Sequence, residues 1–288
     1  MQRFDIGCAF SLTWEIGKES FLNCLGHVVM AGVGFIAIIT VFSFVFFGGW
    51  SVLSVMGSQP AGLFNDATSV LGVILFVLVA FLPFIAAQMS IFRSTSTFES
   101  IEFPQAFLYG YGASIPVAVA VFAIYLLFAL PLGVLFTLFG LAAYAGDLDS
   151  LSTAGGLMIG FVFVIFLLFL FPLALFVVSR LGLAGPIMAA RGSYNPFSAM
   201  AESWRQTQGM TLILMLYNFI ANLLVSAIYY AVSLLGTIMD VVGGGLFSLI
   251  LTLPAYICYF IGTTLIPVGI FRTLNADRDS QELEETFG

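Results

Sequence analysis

Six stretches of this 288-residue chain run for 23 residues or more without an Asp, Glu, Lys or Arg: Phe21–Phe47, Val70–Phe92, Ala113–Leu138, Gly156–Val178, Leu212–Leu235 and Leu246–Ile270. A helix rising 1.5 Å per residue needs roughly 20 apolar residues to cross roughly 30 Å of hydrocarbon, so each stretch is long enough to span a bilayer. Inside hydrocarbon the backbone must satisfy its own hydrogen bonds, which leaves helices or closed barrels. Barrel strands alternate apolar and polar residues; these runs do not alternate. With 61% apolar and 8% charged residues, a water-soluble domain would expose far more apolar surface than solubility tolerates. The expected fold is all-α, a polytopic transmembrane helical bundle of six spans.

The cations orient it. Arg3, Lys18, Arg93, Arg180, Arg191, Arg205, Arg272 and Arg278 fall before span one, between spans two and three, between four and five, or after six. The connections after spans one, three and five hold only Asp66, Asp147, Asp149 and Asp240. Segments flanking spans retain Lys and Arg on the cytoplasmic side, which places both termini there. The first 20 residues lack the short basic-then-apolar pattern of a secretory signal, so the first span is expected to be retained. Cys8, Cys24 and Cys258 then face no oxidising compartment as a pair and read as free thiols. A net charge of −7 with a single lysine disfavours nucleic acid as a partner.

A repeat of about one third of the chain runs through the even-numbered spans. Leu78-Val-Ala-Phe-Leu-Pro83, Leu167-Leu-Phe-Leu-Phe-Pro172 and Leu249-Ile-Leu-Thr-Leu-Pro254 each place a leucine five residues before a proline, and Arg93, Arg180 or Arg272 follows. The prolines lie 89 and 82 residues apart, which suggests three units, about 1–93, 94–180 and 181–274, within a single transmembrane domain over 1–274. Amphipathic interfacial helices are expected before the odd-numbered spans. Before span one, Ile6, Ala9, Phe10, Thr13 and Gly17 share a face with Trp14 at its edge; before span five, Phe197, Met200 and Trp204 form the stripe. Asn195-Pro196 is a suitable helix start, Asn capping free amides and Pro tolerated at the first position. The middle copy would start at Glu102-Phe103-Pro104, with Phe107 and Tyr111 as its apolar face. Residues 275–288, rich in Asp and Glu, read as an acidic, mobile cytoplasmic tail.

Chemistry-bearing residues are scarce. Pumps and coupled transporters keep ionisable side chains within the membrane, and the six stretches contain none beyond the single histidine. His27, Gln88, Asn218 and Asn222 are the polar residues that stand out. Asn218 and Asn222, four apart on one face, suit either interhelical hydrogen bonding or a substrate path. His27 is either an interfacial residue bonded to water or backbone, or a lone ligand; one histidine cannot build a bis-histidine haem or a multi-histidine zinc site. No cofactor and no metal site is expected. Tyr109-Gly110-Tyr111-Gly112 has the lettering of a potassium filter without a pore-helix pattern. Gly112-Ala113-Ser114-Ile115 offers a hydroxyl that His27 could activate only if something oriented the histidine. Gly156 and Gly160 form a GxxxG pair, Gly243-Gly-Gly245 opens span six, and Pro83, Pro172 and Pro254 should kink their helices, framing a cavity or serving packing.

The stretch Arg180-Leu-Gly-Leu-Ala-Gly-Pro186, then Ala190-Arg-Gly192, Asn195-Pro196 and Glu202-Ser-Trp204 with Gly209, is similar to the membrane domain found beside glycerophosphodiester phosphodiesterases and to related bacterial six-span proteins of unknown function. The resemblance covers about 30 residues. It implies an all-helical domain of the bacterial inner membrane and carries no catalytic residues; the phosphodiesterase barrel is absent. The expected function is therefore non-catalytic, exerted through helix packing and contact with membrane lipids, as an accessory subunit of a membrane complex, a self-associating protein or a membrane organiser. Trp14, Arg180, Arg191, Trp204 and Arg205 are the candidates for lipid or partner contact. The alternatives are a permease for a lipid or neutral solute passing Asn218 and Asn222, and an intramembrane enzyme built on His27 and Ser114.

Overall fold

The computed structural model describes residues 4–43, 67–97, 101–144, 164, 168–169, 171–243 and 247–287. Its elements are helices throughout: α1 Ile6–Ser43, α2 Ala67–Ser96, α3 Phe103–Tyr144, α4 Phe171–Leu181, α5 Ala184–Ala190, α6 Pro196–Gln206, α7 Thr211–Gly243 and α8 Phe247–Phe287. Among the described residues there is no strand, and five helical segments are long and apolar enough to cross a membrane: Ile6–Phe42, Phe103–Ile124, Phe171–Ala190, Thr211–Asp240 and Ile250–Ala276. The chain is a multi-pass membrane protein. Its helix flanks carry large apolar side chains in the open, Leu22, Leu108, Leu212 and Ile228 among them, a surface suited to hydrocarbon rather than water.

Helix α1 packs against α2 and α8, α2 against α3, and α7 against α8; the short α5 lies on α2, and α6 bridges α5 and α4. The well-packed core gathers at the end of the bundle where the arginines sit. Small residues make it: Ala9, Ala86, Ala106, Ala113, Ala189 and Ala199 are all buried there. Apolar association in lipid gains little from hydrophobicity, so close backbone approach and van der Waals contact must hold helices together. Two glycines show how close. A Cβ on Gly110 of α3 would collide with Ser90 Oγ and the Ala86 carbonyl of α2, and one on Gly269 of α8 would collide with Thr13 Oγ1 of α1.

The interfacial helices differ from expectation. Ile6–Ser43 is one continuous helix of 38 residues, about 57 Å at 1.5 Å per residue, and Phe103–Tyr144 is one of 42. Residues 6–20 and 103–112 are therefore the first turns of long helices, because neither junction places a residue in the left-handed conformation that would stop the ladder. Only the third segment is separate: Gly209, at φ +85°, breaks the chain between α6 and α7, and Gly192, at φ +63°, turns it between α5 and α6. At the other end, the backbone of α8 runs on as helix from Asn275 to Phe287. The Ala, Arg, Gln, Leu and Glu residues there are good helix formers, and neither Gly nor Pro intervenes before Gly288.

Arg3, Asp66, Asp147, Asp149, the Gly156 and Gly160 pair and most of the expected fourth span lie outside the described residues. Tyr109-Gly110-Tyr111-Gly112 is ordinary α3 helix, its carbonyls committed to the helical ladder rather than to an ion. Pro83 is buried in α2 and its ring packs where Gly34 of α1 leaves room, a Cβ there lying 3.3 Å from Pro83 Cβ. That makes Pro83 a packing feature.

Candidate functional site

Three arginines knit the arginine end together, each by holding the carbonyl end of a neighbouring helix. Arg93, at the end of α2, donates from Nη1 to the carbonyls of Ala189 and Ala190, the last turn of α5. Arg180 of α4 donates to the Trp204 carbonyl at 3.1 Å in the last turn of α6, and Arg272 of α8 donates at 2.8 Å to the Thr95 carbonyl in the last turn of α2 and at 3.1 Å to that of Thr97 just beyond it. The final carbonyls of a helix lack intrahelical donors and carry the negative end of its dipole, so a guanidinium both satisfies and neutralises them. Ring contacts back two of these clasps: Arg93 lies 5.4 Å from the Tyr109 ring centroid and Arg180 4.8 Å from that of Trp204. Tyr109 in turn donates to the Ser193 carbonyl at 2.9 Å.

Helix α6 forms as its sequence dictates. Asn195 Oδ1 accepts from the amides of Phe197 and Ser198 at 3.1 and 3.2 Å, and Pro196 takes the first position. Asp5 does the same for α1, accepting from the Gly7 amide at 2.8 Å. On the outer face of α6, Arg205 Nη2 donates to both Glu202 oxygens at 2.9 and 2.8 Å, Gln206 donates to one of them, and Arg191 stands 3.6 Å away. Those donors, Arg205 first, hold the Glu202 carboxyl below the usual carboxylate range.

Beneath this platform α2, α3, α4, α5, α7 and α8 leave a cavity of about 430 Å³, within the size range of small-molecule sites. Pro196 and Met200 of α6 line it on the platform side; Met89, Phe92, Val121 and Ile266 are among its apolar walls. Into it come Gln88 of α2, Asn218 and Asn222 of α7, and Thr263 of α8. No protein-family model, curated protein or solved structure matches this chain. The cavity must therefore be read from its own chemistry. Asn218 is only 6% exposed, and its Nδ2 donates to the Leu214 carbonyl at 2.9 Å; Asn222 Nδ2 donates to the Asn218 carbonyl at 2.8 Å. Thr263 Oγ1 donates to the Tyr259 carbonyl at 3.0 Å. Each asparagine thus spends one N–H on the turn behind it and keeps its oxygen and a second N–H. No Asp, Glu, Lys, Arg or His is among the lining residues.

Three of the four polar residues singled out in the sequence therefore meet in one place, and His27 does not. His27 is 1% exposed with its ring stacked on Phe103 at 4.3 Å, and among the described residues neither ring nitrogen has a hydrogen-bond partner. The Ser114 hydroxyl donates to the Tyr111 carbonyl at 2.8 Å, so the two are not joined as a nucleophile and base. Trp14 is 67% exposed, with Lys18 Nζ 5.4 Å from its ring centroid, and both border a second hollow of about 470 Å³ between α1, α7 and α8. Trp204 is half-exposed, Arg191 and Arg205 reach solvent around Glu202, and Arg180 is turned inward. Sequence reasoning missed the helix-end roles of Arg93 and Arg272, whose recurrence after the prolines was the available signal, and the part of Pro267 in the cavity wall, which no pattern announced.

Proposed function

We propose that the chain is a non-catalytic bacterial inner-membrane protein that works through helix packing and lipid contact, as an accessory subunit or membrane organiser, with both termini in the cytoplasm. The sixth span in this reading is α2, which contains the whole uncharged stretch Val70–Phe92. A threefold repeat accords with the start of each unit: a polar residue at Asp5, Glu102 or Asn195, a buried alanine four positions on at Ala9, Ala106 or Ala199, and an aromatic nine positions on at Trp14, Tyr111 or Trp204. The likeness of residues 180–209 to the phosphodiesterase-associated membrane domain supports the same assignment.

The observation that carries the proposal is the cavity itself: an apolar space among membrane helices, edged by amides and by no ionisable group. Such a space suits the body of a lipid, and its walls hold neither an acid to carry a coupled proton nor a cation to balance a phosphate. Arg93, Arg180 and Arg272 each hold a helix end nearby, and none of them lines the cavity. Extraction into polymer-bounded native nanodiscs followed by native mass spectrometry tests this. Retained lipid or a partner subunit is expected, and a bare monomer stripped of both would overturn the proposal.

One observation favours a second reading. Asn218 and Asn222 line the cavity, as a permease for a lipid or neutral solute would require. Flux in reconstituted vesicles that falls on replacing both with leucine would establish transport; its absence returns the role to binding.

A further inference from the structure

We infer that the cavity under the arginine platform is a binding site for an uncharged lipid whose headgroup bears a free hydroxyl, with the hydroxyl seated between Gln88, Asn218 and Asn222. The inference rests on the lipid-contact reading above and narrows it to one ligand class. Three features of the site select that class.

The first is depth. Asn218 and Asn222 lie 7 and 11 residues into α7, about 10 and 16 Å from its start at 1.5 Å per residue. Gln88 lies about 7.5 Å along α2 before Arg93 and Thr263 about 13.5 Å along α8 before Arg272, so the polar groups of the site lie on the apolar side of the arginines. The second is charge. An anionic headgroup drawn to that depth would lose its hydration and meet no cation on the walls, a cost that no hydrogen bond to an amide repays. An ammonium headgroup would likewise meet no carboxylate. The third is hydrogen-bond complementarity. Both carboxamides of α7 have one N–H fixed on a backbone carbonyl, which locks their rotamers and leaves each with an oxygen to accept and an N–H to donate. A hydroxyl does both with one atom. A hydrocarbon alone would leave the oxygen and second N–H of Asn218, which is only 6% exposed, without a partner in the cavity, which is costly.

The apolar remainder of the ligand has a continuous wall to lie against. Val121 and Ile124 of α3 and Val177 and Val178 of α4 line the cavity, and Val121 and Val178 are themselves partly open toward the surrounding hydrocarbon, so a chain can reach the site sideways from the bilayer. The walls do not depend on the arginines, and the hydroxyl never has to pass the platform.

The test uses the full chain in nanodiscs of zwitterionic lipid and two probes with identical acyl chains, one of which carries a diazirine: a diacylglycerol, whose headgroup is a free hydroxyl, and the corresponding phosphatidic acid, whose headgroup is anionic. Saturable photolabelling by the diacylglycerol that maps to α3, α4 or α7, at least tenfold stronger than by the phosphatidic acid, is expected. Asn218→Leu with Asn222→Leu should weaken it about tenfold, the loss of two neutral hydrogen bonds, whereas Asn222→Gln should retain most of it. Val121→Phe, at a lining position that tolerates bulk toward lipid, should block labelling while leaving the melting temperature in place, so a folding defect in the double variant does not decide the question. Equal labelling by both probes, or stronger labelling by the phosphatidic acid, overturns the hydroxyl assignment and leaves the lipid-contact reading standing. Absence of any saturable lipid label overturns both.

Discussion

Replacing Arg93 with methionine keeps most of the side chain's apolar stem and removes only the guanidinium, which isolates the clasp on α5. In the folded chain that guanidinium gives hydrogen bonds to the Ala189 and Ala190 carbonyls and stands 5.4 Å from the Tyr109 ring. A hydrogen bond from a charged donor contributes about 1.5–3 kcal/mol. Here one nitrogen serves two acceptors, and the side chain is only half-buried, so about 2 kcal/mol is a fair share for the pair. The ring contact adds about 0.5–1 kcal/mol. R93M should therefore cost about 3 kcal/mol, and α5 should be the first element to loosen. The matched control is R191M: Arg191 lies two residues beyond the clasped carbonyl of Ala189, but its side chain is 56% exposed and stands 3.6 Å from Glu202, so its loss should cost under about 1 kcal/mol. Reversible unfolding of the micelle-embedded protein by SDS titration, followed by tryptophan fluorescence, reads both. If R93M and R191M unfold within about 1 kcal/mol of each other, the idea that arginines hold helix ends here is wrong.

Three further outcomes follow from the same geometry. Gly110→Ala should destabilise by about 1–3 kcal/mol through overpacking against Ser90 and Ala86, whereas Gly32→Ala, with open space around the added carbon, should be neutral or stabilising by up to about 1 kcal/mol; the same titration shows whether the signs differ. Asn195→Ala should cost about 1 kcal/mol by uncapping α6, with Asn195→Asp largely restoring it, and a loss below the error of the titration would count against the cap. Because the Glu202 carboxyl titrates below its unfolded value, its contribution is present above the ordinary glutamate pKa of about 4.3 and is lost as pH falls through the lower folded value. Melting temperature measured from about pH 6 down to about pH 3 should therefore drop less steeply in E202Q than in the parent chain, and parallel curves would rule out the Glu202 network as a source of acid sensitivity.

Much of the fold is legible because lipid simplifies the problem: an uncharged apolar run of 23 residues has few alternatives to a helix. The start of α6 was legible for a local reason, since Asn195-Pro196 carries its own capping chemistry. The continuity of α1 and α3 was not, because amphipathic first turns look alike whether the helix then bends or runs straight on; the decision lies in one left-handed residue, Gly209, present before α7 and without a counterpart among the described residues of α1 and α3. The site was half legible. Gln88, Asn218 and Asn222 stand out as polar residues in apolar runs, yet their meeting depends on α2 and α7 lining the same cavity, which no spacing within one helix encodes. The stretch Arg180–Gly209 is dense in structural duties: Arg180 holds α6, Gly185 leaves room for Phe92, Gly192 and Gly209 make turns, and Glu202 gathers Arg191 and Arg205.

Sided labelling tests the membrane frame on which every functional statement depends. Cys8 is exposed at the arginine end of α1, and Ser150→Cys would place a thiol beside Asp149 in the connection after the third span. With a membrane-impermeant maleimide, Cys8 should react in inverted inner-membrane vesicles and not in intact cells, and the thiol introduced by Ser150→Cys should show the reverse. Reaction of both thiols from the same side, or of Cys8 in intact cells, would contradict the account.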